Sequence, residues 1–109
     1  MSHYHDENDM KLLKEMSKLS PEEFKAWLDL DNIVRREGGH IPRKYRELIA
    51  LAVAFTTQCP YCIEGHARAA RLVGVSREEI SETAFLAAAL RAGGAATHGA
   101  LALKFFDKD

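Results

Sequence analysis

The sequence predicts an all-α fold of five to six helices, built around an antiparallel helix hairpin. Apolar residues recur at helical spacing in several segments, and no segment alternates with the period of two that is typical of strands. Proline and side chains that cap helices precede these segments, and glycines follow several of them. Residues with β-branched side chains, which favour strands, are few.

Length and charge limit the class of protein. The chain has 109 residues, with 15 Lys+Arg against 16 Asp+Glu. Its length predicts a single domain over residues 10–109, after a flexible N-terminal tail over 1–9. Balanced charge disfavours nucleic-acid binding. The uncharged runs 48–63 and 83–90 are too short for a membrane span of roughly 20 residues, so no membrane partner is expected. The polar N-terminus has no apolar signal stretch, so we expect a cytoplasmic location.

The first two helices are predicted on either side of Ser20. Segment 10–19 places its apolar residues on one helical face. Ser20 is expected to cap the next helix, with Pro21 at its first position and Glu23 completing a capping box. That helix is expected to end near residue 36, before two consecutive glycines.

The third and fourth helices form the predicted hairpin. The third starts at Pro42, and its segment 48–55 is apolar all round, which predicts burial on several sides, including by a neighbouring subunit. The fourth starts with Cys59 at or near the N-cap and Pro60 at the first helical position. Gly74 is expected to end it.

A second capping box, formed by Ser76 and Glu79, is expected to start the fifth helix. Gly93-Gly94 is expected to break this helix, and a last helix is predicted to follow. The small residues of segment 83–104 allow close approach of helices, so we interpret this segment as core and subunit contact.

The chemistry is predicted at Cys59 and Cys62, the only two cysteines of the chain. In a cytoplasmic protein, such a Cys-x-x-Cys pair is more often redox-active or metal-binding than structural. Both thiols lie at a helix N-terminus, whose partial positive charge stabilises a thiolate. Three residues apart, they are close enough to form a disulfide, so that one thiol can attack and the other can resolve.

Helix geometry adds His66 and Glu47 to the site. His66 lies one turn after Cys62 on the same face, where it can take the Cys62 proton. Along their helices, Glu47 lies roughly 16 Å from the connecting turn, His66 roughly 10 Å and Cys62 roughly 4 to 5 Å. Glu47 is therefore expected nearer to His66 than to Cys62. This predicts a proton relay from Cys62 through His66 to Glu47, with room for a bridging water.

The pattern Glu-x11-Cys-x-Tyr-Cys-x3-His, matched by Glu47, Cys59, Tyr61, Cys62 and His66, resembles that of the alkylhydroperoxidase D-like family, also called the carboxymuconolactone decarboxylase-like family. The resemblance covers roughly residues 40 to 105. It implies an alkylhydroperoxidase D-like helical fold, assembled as a homo-oligomer of three or six subunits.

The resemblance also implies an enzyme: a peroxiredoxin-type alkylhydroperoxidase, or thiol-disulfide oxidoreductase, that needs no cofactor. In the family's peroxidases, the residue matching Cys62 attacks a small hydroperoxide, and the residue matching Cys59 resolves it as a disulfide. The residues matching Glu47 and His66 relay protons. A dithiol reductant, such as a lipoyl-bearing protein, restores the thiols. The family's true decarboxylases generally lack the cysteine pair, which argues against decarboxylation here.

Other interpretations remain open at this point. The cysteines could be buried core residues, although Pro60 and the helix-start position count against this. The chain could be a non-catalytic oligomeric module, a redox sensor or a binding protein. A zinc site could be formed by Cys59, Cys62, His66 and either Glu47 or His98.

Overall fold

The computed structural model describes residues 4–109, which form one 3-10 helix and five α-helices without a β-strand. The elements are the 3-10 helix Glu7–Lys11, α1 Leu12–Leu19, α2 Pro21–Val34, α3 Arg43–Thr57, α4 Pro60–Leu72 and α5 Arg77–Phe106. The predicted all-α class and the number of helices are confirmed. Within the described part of the chain, none of these helices combines the length and apolar character that crossing a membrane requires.

Helix α3 is the centre of the fold, because it packs against both α4 and α5. Leu51 and Ala54 of α3 and Ala70 of α4 are the buried apolar residues of the described chain. The turn between α3 and α4 is short because Gln58 adopts a left-handed backbone conformation, with φ of 56°. The Cys59 amide then donates to the Ala54 carbonyl at 3.1 Å. This turn sets the start of α4 directly after the end of α3.

The helices near the site begin at the residues that the sequence predicted. Cys59 is the N-cap of α4, with Pro60 at the first helical position, as predicted. The capping box of α5 is also confirmed: Ser76 Oγ accepts from the Glu79 amide at 3.1 Å, and Glu79 Oε1 accepts from the Ser76 amide at 2.8 Å. Gly74 follows α4 with φ of 83°, a conformation that suits glycine. Local capping chemistry therefore places the cysteine pair at a helix N-terminus.

The capping box predicted at Ser20 is wrong. Ser20 precedes α2, but its side chain makes no capping hydrogen bond. The same residue also ends α1, with its amide donating to the Met16 carbonyl at 2.8 Å. Its backbone angles, φ of −137° and ψ of 69°, differ from the extended angles of the Ser76 cap. Ser20 therefore ends α1 through its amide but does not take the extended conformation in which its side chain would cap α2.

The helix break predicted at Gly93-Gly94 is also wrong, since α5 continues through both glycines as one helix of 30 residues. Each glycine costs a helix about 1 kcal/mol relative to alanine, but it keeps the amide donor that proline lacks. Alanine and leucine, which favour helices, surround the pair. The penalty is therefore too small to end the helix, which is about 45 Å long.

Part of the segment predicted as a flexible tail is helical. Asp6 caps the 3-10 helix, with its Oδ1 accepting from the Asn8 amide at 2.8 Å and its own amide donating to Asp9 Oδ2 at 2.7 Å. Residues 1–3 of that segment lie outside the described residues. The flexibility of residues 1–9 stays a prediction.

The single chain leaves a large apolar surface uncovered. Its accessible area is 9001 Å², whereas a compact monomer of 12.2 kDa exposes roughly 6,000 Å². Its radius of gyration is 18.1 Å, against about 13 Å for a compact domain of this length. On α5, Phe85, Leu86 and Leu90 are each at least 65% exposed. The single chain therefore buries less apolar surface than a compact domain of the same size.

Candidate active site

Glu47, in the first half of α3, is the buried charged residue at the centre of the site, with 1% of its surface exposed. Its Oε2 accepts a hydrogen bond from His66 Nδ1 at 2.7 Å, and its Oε1 accepts one from Arg43 Nε at 3.0 Å. Arg35 Nε lies 3.9 Å from Oε1. A buried carboxylate requires such partners because leaving water costs an unpaired charge several kcal/mol.

These contacts fix the ionisation of Glu47. Burial by itself raises the pKa of a carboxyl group, but the hydrogen bonds from His66 and Arg43 and the charge of Arg35 oppose it. The net result is a pKa below the ordinary value, so Glu47 is a carboxylate at neutral pH. A carboxylate can only accept, so His66 Nδ1 carries a proton. A neutral His66 then leaves Nε2 free to accept a second proton.

Cys59 and Cys62 are joined as a disulfide, with their Cα atoms 5.3 Å apart. The Cys62 amide donates to Cys59 Sγ at 3.2 Å, in the manner of a helix cap. Cys62 is exposed and Cys59 is half-buried. The interpretation of the two cysteines as buried core residues is therefore wrong, and the disulfide is open to an attacking thiol.

Of the four predicted site residues, Glu47 lies on α3, Cys59 is the N-cap of α4, and Cys62 and His66 lie in the first two turns of α4. Glu47 and His66 are in direct contact, as the relay requires. Cys62 and His66 border the same groove, whose volume is about 500 Å³. Its apolar lining includes Val34 and Ile41. The groove gives a small molecule access to Cys62 and His66 together.

Two arginines at this site were not predicted as functional. The sequence did indicate a role for Arg43. It precedes Glu47 by four residues, so the two side chains lie on one face of the helix, and the first turn of α3 contains two other basic residues and no acidic one. Positive charge is unfavourable at a helix N-terminus, so its presence there calls for a specific partner. Arg35 had no such signal, since it ends α2, twelve residues before Glu47.

Tyr61, between the two cysteines, ties the N-terminal 3-10 helix to α4. Its hydroxyl donates to Asp9 Oδ2 at 2.7 Å, and this hydrogen bond raises the pKa of Tyr61 and lowers the pKa of Asp9. A second link is the ion pair of Arg68 with Glu7, at 3.5 Å. The 3-10 helix therefore lies beside the first turn of α4.

The alternative of a zinc site finds no support in this geometry. His98 lies on α5, where its Nδ1 donates to the Gly94 carbonyl at 2.8 Å. His66 Nδ1 is bonded to Glu47. Across residues 4–109, no three His, Cys, Asp or Glu side chains are grouped so that they could hold one metal ion.

Fold and site together define an all-helical protein that carries a Cys-x-x-Cys disulfide at a helix N-terminus beside a buried Glu–His pair. The chain belongs to the carboxymuconolactone decarboxylase family, which matches residues 21–105. The family match begins at residue 21 and therefore includes α2 and the following Arg35, whereas the resemblance found in the sequence began near residue 40.

Two relatives and one solved structure are similar to this chain. A Paracoccus denitrificans protein, described as uncharacterized protein 4 in the cox locus, is 43% identical over 83 residues, which are 76% of this chain and 74% of the relative. An uncharacterized Haemophilus influenzae protein is 41% identical over 66 residues, or 61% and 58% of the two chains. A crystal structure of a protein from Methanobacterium thermoautotrophicum is similar with a TM-score of 0.70 and 29% identity, covering 83% of this chain and 96% of that one. These descriptions state no activity.

Proposed function

We propose that the protein is a thiol-dependent peroxidase that reduces small hydroperoxides with the Cys59–Cys62 pair. The observation that carries the proposal is the 2.7 Å bond between buried Glu47 and His66, one helical turn from an exposed disulfide. A carboxylate that orients a histidine beside a nucleophile is the arrangement that activates thiols in other enzymes. A purely structural disulfide has no need of it.

The reaction starts from the dithiol form. His66 Nε2 takes the proton of the Cys62 thiol, and the thiolate attacks the outer oxygen of the hydroperoxide ROOH. The O–O bond breaks, Cys62 becomes a sulfenic acid, and the leaving alkoxide takes a proton to give ROH. The Cys59 thiol then attacks the Cys62 sulfur, so that the disulfide forms and water leaves. One peroxide is reduced by two electrons, and both thiols are oxidised.

A dithiol reductant completes the cycle. One of its thiolates attacks the disulfide and forms a mixed disulfide, and its second thiol releases the Cys59–Cys62 dithiol. We propose a lipoyl-bearing protein as this reductant, because dihydrolipoyl groups supply two thiols on one carrier. The net reaction converts ROOH and the dithiol into ROH, water and the oxidised carrier.

The test is a titration of the reduced protein with tert-butyl hydroperoxide, followed by free-thiol assay and intact mass. One equivalent should remove two thiols and two hydrogens per chain within seconds to minutes, and dihydrolipoamide should restore both thiols. Thiols that survive an hour of excess peroxide would refute the peroxidase and favour a non-catalytic redox-sensing or binding module.

We also propose that the chain assembles as a homo-oligomer, a trimer or a hexamer. The support is the protomer's excess surface, roughly 3,000 Å² above that of a compact monomer. A specific interface buries about 800 Å² per partner, so the excess exceeds what one interface covers. Its apolar share includes the exposed side of α5, with Leu90 65% exposed.

Sedimentation equilibrium should give a mass of three or six times 12.2 kDa. Leu90→Glu places a charge on this surface and should shift the mass towards the monomer, because an unpaired charge is costly inside an interface. Lys108→Glu, beyond the end of α5, is the control and should leave the mass unchanged. A monomeric wild-type protein at micromolar concentration would contradict the assembly.

A further inference from the structure

The Glu47 carboxylate divides its two oxygens between different kinds of partner. Among residues 4–109, Oε2 pairs with His66 at 2.7 Å, whereas Oε1 faces Arg43 at 3.0 Å and Arg35 at 3.9 Å. On the far side of Arg35, Asp31 lies 3.5 Å from Nη1. Five side chains form what we call the Glu47 cluster: Asp31 on α2, Arg35 directly after it, Arg43 and Glu47 on α3, and His66 on α4.

The charges of the Glu47 cluster balance only when His66 is neutral. Glu47 and Asp31 supply two negative charges, and Arg35 and Arg43 supply two positive charges that are not lost at any working pH. Within the described residues, the charged groups within 4 Å of the Glu47 carboxylate are Arg35, Arg43 and His66. A proton on His66 therefore gives the cluster a net positive charge beside two arginines, and like charges disfavour that protonated form.

Without the two arginines, the Glu47 carboxylate would favour the protonated form of His66. Glu47 is 1% exposed, so its charge would depend on a protonated His66 for compensation. His66 would then hold its proton and would be a poor acceptor for the Cys62 proton. A base must be neutral before it can act, so this pairing would suppress the proton transfer.

We propose that Arg43, supported by Arg35, is a positioning residue that neutralises Glu47 and so keeps His66 available as the base for Cys62. This inference rests on the proposed function for its consequence in catalysis. Neither arginine is required to touch the substrate. Arg43 acts from the preceding turn of α3, and its Nε bond aims the Glu47 carboxylate while Oε2 remains with His66.

The basic first turn of α3 agrees with this assignment. Arg43, Lys44 and Arg46 all lie there without an acidic residue, against the preference of a helix N-terminus. Lys44 pairs with Glu79 of α5 at 3.0 Å. Arg46 donates to the backbone carbonyls of Val34 and Ile41. The third cation, Arg43, has Glu47 as its partner, so each of the three has a specific acceptor.

The first readout is the protonation of His66 itself, measured by NMR titration of the imidazole in the oxidised protein, from pH 5 to 9. The His66 signal is identified by its loss in His66→Gln. In Arg43→Gln, the midpoint of the titration should move upward by roughly one pH unit, because a nearby positive charge has been removed. Arg43→Lys, which keeps the charge, should return it towards wild type. An unchanged midpoint in Arg43→Gln would overturn the proposal.

The second readout is the rate of thiol loss with peroxide over the same pH range. In Arg43→Gln, the acid limb of the profile should move upward with the His66 midpoint, whereas a merely structural role would lower the rate equally at every pH. Arg71→Gln is the matched control, since Arg71 is exposed on α4 and should leave the profile in place. The NMR titration does not require peroxide turnover. A midpoint shift without any peroxide reaction would therefore contradict the proposed peroxidase and leave the arginine assignment standing.

Discussion

Cys62→Ser should lower the rate of peroxide reduction by roughly a thousandfold or more, because a serine hydroxyl is not ionised at neutral pH and cannot replace a thiolate nucleophile. Cys59→Ser should behave differently. Its Cys62 can still attack the first peroxide, but no neighbouring thiol remains to resolve the sulfenic acid. The two substitutions therefore separate the attacking thiol from the resolving thiol.

The measurement is a single-turnover reaction of each reduced variant with tert-butyl hydroperoxide. Cys59→Ser should consume about one peroxide per chain and gain one oxygen in mass. Cys62→Ser should show neither change, and circular dichroism should show that both remain helical. A reactive Cys62→Ser together with an inert Cys59→Ser would mean that the two roles are exchanged.

The second large effect is expected on stability when Glu47 is removed. Glu47→Ala leaves Arg43, Arg35 and His66 around a site without their common anion. Breaking a buried pair on one side costs about 3–5 kcal/mol of unfolding free energy. Glu15→Ala is the control, because Glu15 is exposed and pairs with Lys18 at 3.9 Å, a contact that contributes roughly 0–1 kcal/mol.

Urea unfolding of these variants measures both changes, at one protein concentration because the proposed assembly would make stability depend on concentration. An equal loss in Glu47→Ala and Glu15→Ala would show that the buried cluster does not stabilise the fold. Glu47→Gln keeps the volume of the side chain and tests the charge alone. It should also slow peroxide-driven thiol loss, by roughly 10²- to 10⁴-fold.

The pH dependence of this stability has a definite sign. The pKa of Glu47 is lower in the folded protein than in the unfolded chain, because the bonds from His66 and Arg43 favour its charged form despite burial. Its contribution is therefore complete above the unfolded value, about 4.3, and is lost as the pH falls through the lower folded value. The difference in unfolding free energy between wild type and Glu47→Gln should shrink as the pH falls below about 4.

The sequence by itself determined the elements that depend on neighbouring residues. The α5 capping box at Ser76 and the start of α4 at Cys59-Pro60 are set within a few residues, so local chemistry was sufficient to predict them. The proximity of Glu47 and His66 also followed from the sequence, since helix rise and a short turn fix how far along the hairpin each residue lies. The residues that these features position make up most of the candidate site.

The tertiary structure decided the rest. Arg35 reaches Glu47 from another helix, and Tyr61 meets Asp9 across 52 positions of the chain, so both contacts depend on how elements pack and not on spacing. The sequence also failed to predict that α5 continues through Gly93-Gly94, although the reason is local: a penalty of about 1 kcal/mol per glycine is small beside the backbone hydrogen bonds of a 30-residue helix. Contacts between distant residues are settled only when the whole chain is packed.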